Sequence, residues 1–236
     1  MHHVLVDQWS QGSSPLHARD PRAKLLVLVT FLVALATTAG NAFPTLAVDA
    51  ALLAAGALIA GLPLGRLLLR AMAILPFSVT FGIISWLAGE HLRAIALVEK
   101  SYLSTVAVLL LVGTTPLPRL LSGLEALGTP RLLVLLAQFL YRYLFVISEQ
   151  AQHLRLAAAC REGSSGAHRH GKFRAAAGAL AVLFARSYYR AEGIHQAMLA
   201  RAFTGRFSPL NPLRFGPADG FFTAVIGAML ILARIQ

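Results

Sequence analysis

The sequence predicts an all-α membrane protein with about five transmembrane helices and, between spans four and five, a pair of long amphipathic cytoplasmic helices. Three observations lead to this class. Hydrophobic residues make up 57% of the 236-residue chain against 13% charged ones, far from the balance of an ordinary soluble domain. Mostly apolar runs of roughly 20 residues with at most one charge, enough to cross the hydrocarbon core, recur through the first half and once near the C-terminal end. The 21 Lys and Arg outnumber the 10 Asp and Glu, and they segregate to one side of the resulting topology.

The first 20 residues hold Asp7, His17, Arg19 and Asp20 and no long apolar core, so they do not read as a cleavable signal, and the first apolar segment is expected to stay as an anchor. No charge occurs from Leu25 to Val48; the first span begins there and ends near Gly40. Asn41, Phe43 and Pro44 make a turn, and Leu46 to Leu62 form the second span, carrying only Asp49 and closed by Pro63. After Arg66 and Arg70, the uncharged stretch Ala71 to Gly89 is the third span, with Trp86 where an interfacial aromatic belongs. A polar link with Glu90, His91, Arg93, Glu99 and Lys100 leads to the fourth, Ser101 to Pro118, ended by Pro116 and Pro118.

Beyond Pro118 arginines recur among the apolar residues, from Arg119 through Arg142 and Arg155 to Arg190 and Arg201. That mixture reads as amphipathic helix lying on a surface. Leu120 to Leu127 is a short helix stopped by Gly128, Thr129 and Pro130, Arg131 to about Glu162 is one long helix, and Phe173 to Phe203 is another. Gly163 to Lys172, rich in Gly, Ser and His, is the loop between them, and Pro209, Pro212 and Pro217 mark an irregular link to a last span, Ala218 to Ala233, holding only Asp219. Three domains follow: residues 1–115, a membrane domain of four spans; 116–212, the cytoplasmic helices; and 213–236, the C-terminal span. With the N-terminus inside, all of the 21 Lys and Arg except Arg93, Lys100 and Arg234 lie on the cytoplasmic side.

The residue chemistry excludes several classes. One cysteine, Cys160, rules out an internal disulfide or a multi-cysteine metal site. No Gly-x-x-x-x-Gly-Lys-Ser/Thr loop is present, so the chain has no phosphate cradle of its own. Acidic residues inside spans are limited to Asp49 and Asp219, both near ends, where they read as interfacial or cap residues and not as an ion relay. Eight histidines are present; Met1-His2-His3 offers nitrogens to a borderline metal, but no set stands at zinc spacing, and the residues read as structural or solvated. Two similar helix ends stand out: Cys160-Arg161-Glu162 before Gly163, and Ala200-Arg201-Ala202-Phe203 before Gly205. Arginine there is favoured by the helix dipole and can pair with a partner's carboxylates, or it can snorkel to headgroups.

With those ends in view the chain resembles the T component, the membrane coupling subunit, of energy-coupling factor transporters, in particular the cobalt and nickel type called CbiQ. The resemblance runs in order along nearly the whole chain. It is carried by Met1-His2-His3, by Asp7-Gln8-Trp9-Ser10, and by Ser14-Pro15-Leu16-His17-Ala18-Arg19-Asp20-Pro21-Arg22-Ala23-Lys24. Arg186-Ser187-Tyr188-Tyr189-Arg190-Ala191-Glu192 and the stretch from Gln196 through Arg201, Gly205 and Arg206 to Phe207 are its most specific parts.

The resemblance implies a non-catalytic subunit of an ABC-type importer in the cell inner membrane, multi-pass with its N-terminus inside. Two ATPase subunits would bind ATP and Mg, and a substrate-binding membrane S component, CbiM-like with a small accessory subunit, would take cobalt or nickel. The chain itself would hold no catalytic residue, metal site or cofactor, and its partners would include the bilayer and no nucleic acid. In the family two helix-end motifs centred on Arg, often Ala-Arg-Gly, insert into grooves on the ATPases. Arg201 matches the second, flanked by Ala200 and Ala202. The first is centred on Arg161, flanked by Cys160 and Glu162, or else on Arg155. Ala202 stands where the family often has Gly; its Cβ restricts left-handed backbone, so that helix end is expected to close differently. A stand-alone secondary transporter or channel is the alternative to coupling, and biotin or another vitamin the alternative substrate.

Overall fold

The computed structural model describes residues 12, 14–38, 43–162, 169–205 and 215–235. Met1-His2-His3, Asp7 to Ser10, most of the loop after Glu162 (residues 163–168), Arg206 and Phe207 lie outside the described residues. Every regular element among those described is helical: α1 (Pro21–Thr37), α2 (Phe43–Ile59), α3 (Leu64–Ala71), a 3₁₀ turn (Met72–Ile74), α4 (Leu75–Leu87), α5 (His91–Thr114), α6 (Leu117–Ala126), α7 (Arg131–Glu162), α8 (Arg169–Ala200) and α9 (Pro217–Ile235). They form two compact units, Met1–Gly128 with Asn211–Gln236, and Thr129–Leu210.

In the first unit α5 is the central element, touched by α1, α2, α3 and α4, while α9 packs on α1 and α2. Its buried face carries Ala94, Ala96, Ala107 and Gly113 among larger residues, and small side chains let helices approach closely where lipid gives no hydrophobic drive to associate. Phe31, Leu35, Leu46, Leu103, Ala107 and Leu230 make the main core cluster. Gly82 of α4 allows the approach to α5, because a Cβ there would stand 3.0 Å from Val98 Cγ2. Gly123 does the same for α6 on α1, where a Cβ would meet Pro21 Cβ at 3.1 Å. Hydroxyls inside these helices bond back to the preceding turn, as Thr30 Oγ1 to Leu26 O at 2.8 Å and Thr105 Oγ1 to Ser101 O at 2.8 Å, so they reach no lipid unsatisfied.

Helix ends follow local chemistry. Asp20 caps α1, accepting the Arg22 N–H at 2.8 Å, and Pro21 occupies the first turn where its missing N–H costs nothing. Asp219 caps α9 by accepting the Gly216 N–H at 3.0 Å, a return bond from the first turn to the residue before the helix. The fourth predicted span needs correction. The link from His91 to Lys100 is already helical, and α5 ends at Thr114, short of Pro118. Its charges find partners without breaking the helix: Arg93 pairs with Glu90 at 2.6 Å, and Lys100 Nζ donates to Thr38 O at 2.6 Å, at the C-terminal end of α1.

Four described helical stretches are long and apolar enough to cross a bilayer: Leu64–Leu87, His91–Thr114, Arg131–Cys160 and Pro217–Arg234. This set differs from the predicted five. α1 and α2 have 17 residues each, about 25 Å of helix against about 30 Å of hydrocarbon. α7, expected to be a surface helix, qualifies because Arg142 is the one charge between Leu132 and Ser148.

The second unit holds α7 and α8, 32 residues each. Val134, at 3% exposure, is its one buried side chain among the described residues. Leu132, Leu140, Leu144, Phe173, Leu180, Phe184 and Tyr189 are among those left exposed. Side chains of this kind require lipid or protein around them.

Candidate functional site

α7 and α8 meet over a short stretch, where Phe139, Tyr143 and Ile147 face Ser187, Arg190, Ala191, Ile194 and Met198 across a groove. Aromatic rings stiffen the α7 side: Phe139 stacks on Tyr143 with centroids 6.2 Å apart, Tyr141 meets Phe145 edge to face at 5.2 Å, and the Arg142 guanidinium lies 5.9 Å from the Tyr143 ring. The contact is mid-helix in α7 but close to the C-terminal end of α8. It therefore lies next to Arg201.

The end of α8 is closed by three backbone hydrogen bonds. The Arg201 N–H donates to Met198 O at 3.1 Å, the Ala202 N–H to Leu199 O at 2.9 Å and the Phe203 N–H to Met198 O at 3.0 Å. Ala202 has φ 53°, and among the described residues it is the one non-glycine in left-handed backbone. This is the paired closure normally built on glycine. The expectation that an alanine here changes how the helix closes is thus overturned: the glycine-type closure forms regardless, with the Cβ strained against the following carbonyl. Arg201 is exposed, directly after Ala200, at the negative end of the helix dipole. Met198 joins the two features, since its carbonyl closes the helix and its side chain lines the α7 groove.

Cys160, Arg161 and Glu162 form the end of α7. Cys160 is exposed, and the side chains of Arg161 and Glu162 lie outside the described residues. Arg155, the other candidate for the first motif, is exposed within the same helix. Both α7 and α8 extend as read from the sequence, except that α8 starts at Arg169, inside the predicted loop.

Sequence reasoning missed two polar clusters in the first unit. Asp49, taken as an interfacial or cap residue, has no exposed surface and pairs with Arg234 Nη2 at 3.3 Å. Arg234 Nη1 also donates to Thr38 Oγ1. The other cluster joins the starts of α1 and α9 to the end of α5: Asp219 Oδ1 accepts the Asp20 N–H at 3.2 Å and lies 3.9 Å from Arg19 Nη1, and Lys24 Nζ donates to Thr114 O and Thr115 Oγ1 at 3.0 and 2.8 Å. Each partner sits in a different apolar segment, far off in sequence, so no spacing announces the pairs. Among the described residues no three His, Cys, Asp or Glu side chains gather as a metal site.

A family model described as cobalt transport protein, CbiQ, matches residues 12–211. The cobalt transport protein CbiQ of Rhodobacter capsulatus is 30% identical over 146 residues, covering 59% of this chain and 59% of that protein. An uncharacterised protein of Methanocaldococcus jannaschii is 30% identical over 129 residues, 53% of this chain and 47% of that protein. The matches thus span 47% to 59% of the length of these curated relatives. The matched region of the family model contains α1 to α8 and both arginine-bearing helix ends. The chain belongs to the CbiQ family of cobalt transport proteins.

Proposed function

We propose that this chain is the transmembrane coupling subunit of an energy-coupling factor importer for cobalt or nickel. It sits in the cytoplasmic membrane with the N-terminus and the α7–α8 unit inside. Two ATP-binding cassette subunits supply hydrolysis, with ATP and Mg bound on them, and a separate membrane S component takes the ion. The chain performs no chemistry. Its helix ends at Arg161 and Arg201, with Cys160, Glu162, Ala200 and Ala202 around them, dock on the ATPases.

The observation that carries this reading is the family match across residues 12–211, which takes in a helix end whose exposed arginine stands on a rigid closure. Physical sense agrees with it. A guanidinium held at the end of a helix is preorganised for a carboxylate-lined groove, and α8 touches α7 beside that end, so Arg201 stands close to the crossing of the two helices.

The test is affinity purification of the full chain from its own membrane in mild detergent, with mass spectrometry of what stays bound. Recovery of two ATPase subunits with a small membrane protein is expected, together with their loss in an Arg161→Glu, Arg201→Glu double variant that still inserts. Undiminished ATPase recovery and uptake in that variant would sink the docking role. Ion uptake by liposomes holding the chain alone would replace coupling with secondary transport.

A further inference from the structure

The first unit contains a cavity of about 380 Å³ between α1, α2, α5 and α9. We propose that it holds an acyl chain of an anionic amphiphile, with the Lys24 ammonium taking the anionic head. This inference does not depend on ATPase coupling.

The volume falls within the range of about 300 to 1,000 Å³ in which ligand sites occur, and such sites combine apolar walls with few polar groups. Val27, Leu28 and Phe31 of α1, Leu53 of α2, Leu110 of α5 and Ile226 of α9 supply walls. Gly56 keeps the α2 side open, its nearest neighbour to a Cβ being Leu110 Cδ1 at 3.4 Å. Lys24 is the one charged residue in the lining.

Lys24 is 5% exposed. Its two acceptors, Thr114 O at 3.0 Å and Thr115 Oγ1 at 2.8 Å, are neutral, and an ammonium has three hydrogens to donate. Asp219 and Asp20 lie within electrostatic reach of Lys24, but neither is hydrogen-bonded to it. Asp219 accepts from the backbone of Asp20 and Gly216 and faces Arg19, while Asp20 Oδ1 caps the Arg22 N–H and its buried Oδ2 has no hydrogen-bond partner. Exposed Arg119 adds a second positive charge within electrostatic reach of Lys24. A nearly buried cation without a direct counter-ion is costly, and an anion bound at its third hydrogen would offset that cost. Lys24 and Thr114 mark one end of the cavity; Phe31 and Met229 lie deeper along α1 and α9. An anion with a chain behind it fits this polarity, and a bare anion would leave the apolar walls unfilled.

Hydrocarbon surrounds the helices already, so the walls give shape and the ammonium gives selectivity. The site should therefore discriminate by head-group charge. A phospholipid and a free fatty acid share the required chemistry.

The full chain, purified in a neutral detergent, is titrated with phosphatidylglycerol, phosphatidylcholine and palmitate, all with palmitoyl chains, and bound lipid is counted by native mass spectrometry. Wild type is expected to retain phosphatidylglycerol or palmitate roughly tenfold better than phosphatidylcholine, the scale of a charge-assisted hydrogen bond. Lys24→Gln should erase that preference, and Gly56→Leu, which fills the cavity, should reduce retention of all three. Equal retention of the charged and neutral probes by wild type overturns the proposal, as does an unchanged preference in Lys24→Gln. Should Lys24→Gln fail to fold, Gly56→Leu decides: undiminished phosphatidylglycerol retention overturns the site. Palmitate held above phosphatidylglycerol supports it with a free fatty acid as the source.

Discussion

Replacing Ala202 by glycine tests the closure that presents Arg201. At φ 53° the alanine methyl crowds the next carbonyl, a conflict of about 1–2 kcal/mol for an L-residue. Glycine removes it but gives back about 0.4–1 kcal/mol through the greater freedom of the unfolded chain. The net expectation for Ala202→Gly is a helix end more stable by roughly 0.5–1 kcal/mol. Ala202→Val acts in the opposite direction, because a branched Cβ tolerates left-handed backbone poorly. Amide hydrogen exchange on the full chain in detergent reads the effect at residues 202 and 203, whose N–H groups donate to Leu199 and Met198. Protection should rise about two- to fivefold in Ala202→Gly and fall in Ala202→Val. Equal protection in all three proteins, or a rise in the valine variant, would refute a left-handed closure at this position.

Arg201→Glu alone should lower ATPase co-purification without affecting insertion, since a like charge in a docked groove is unfavourable; the ratio of recovered ATPase to chain is the measurement. Asp49→Ala strands the Arg234 guanidinium and should cost about 1–3 kcal/mol, seen as a lower thermal midpoint in detergent, with Arg234→Gln added on top recovering part of the loss. Gly123→Leu forces α6 away from Pro21 and Leu25 and should destabilise by about 1–3 kcal/mol in the same assay. Gly178→Ala, in the exposed middle of α8 with open space around it, should stabilise by about 0.5–1 kcal/mol.

The apolar segments were legible because absence of charge over a helix-length run has one physical reading in a chain this hydrophobic. Their edges were less so. His91 to Lys100 looked like a loop through its charges, yet those side chains find Glu90 and Thr38 O without breaking the helix. α7 reads as amphipathic when its arginines are counted over its full length, while its stretch from Leu132 to Ser148 holds only Arg142 and is apolar enough to enter a bilayer. Asp219 read correctly as a cap, since a carboxylate shortly after proline at a helix start has a local role. Asp49 did not, because its partner Arg234 lies at the far end of the chain. The arginines at the two helix ends were visible from position alone. The left-handed alanine was not, since nothing in its side chain announces it and only the hydrogen bonds from 202 and 203 reveal it.

Val134 as the lone buried side chain among the described residues of the α7–α8 unit has a mechanical meaning. Tightly interdigitated cores resist shear, because sliding one element past another breaks many contacts together. Two helices that touch at one groove have little to break, so each can stay straight while the angle between them changes at small energetic cost. Stiffness then resides within the rods and compliance at their crossing, the division of properties found in a pair of scissors.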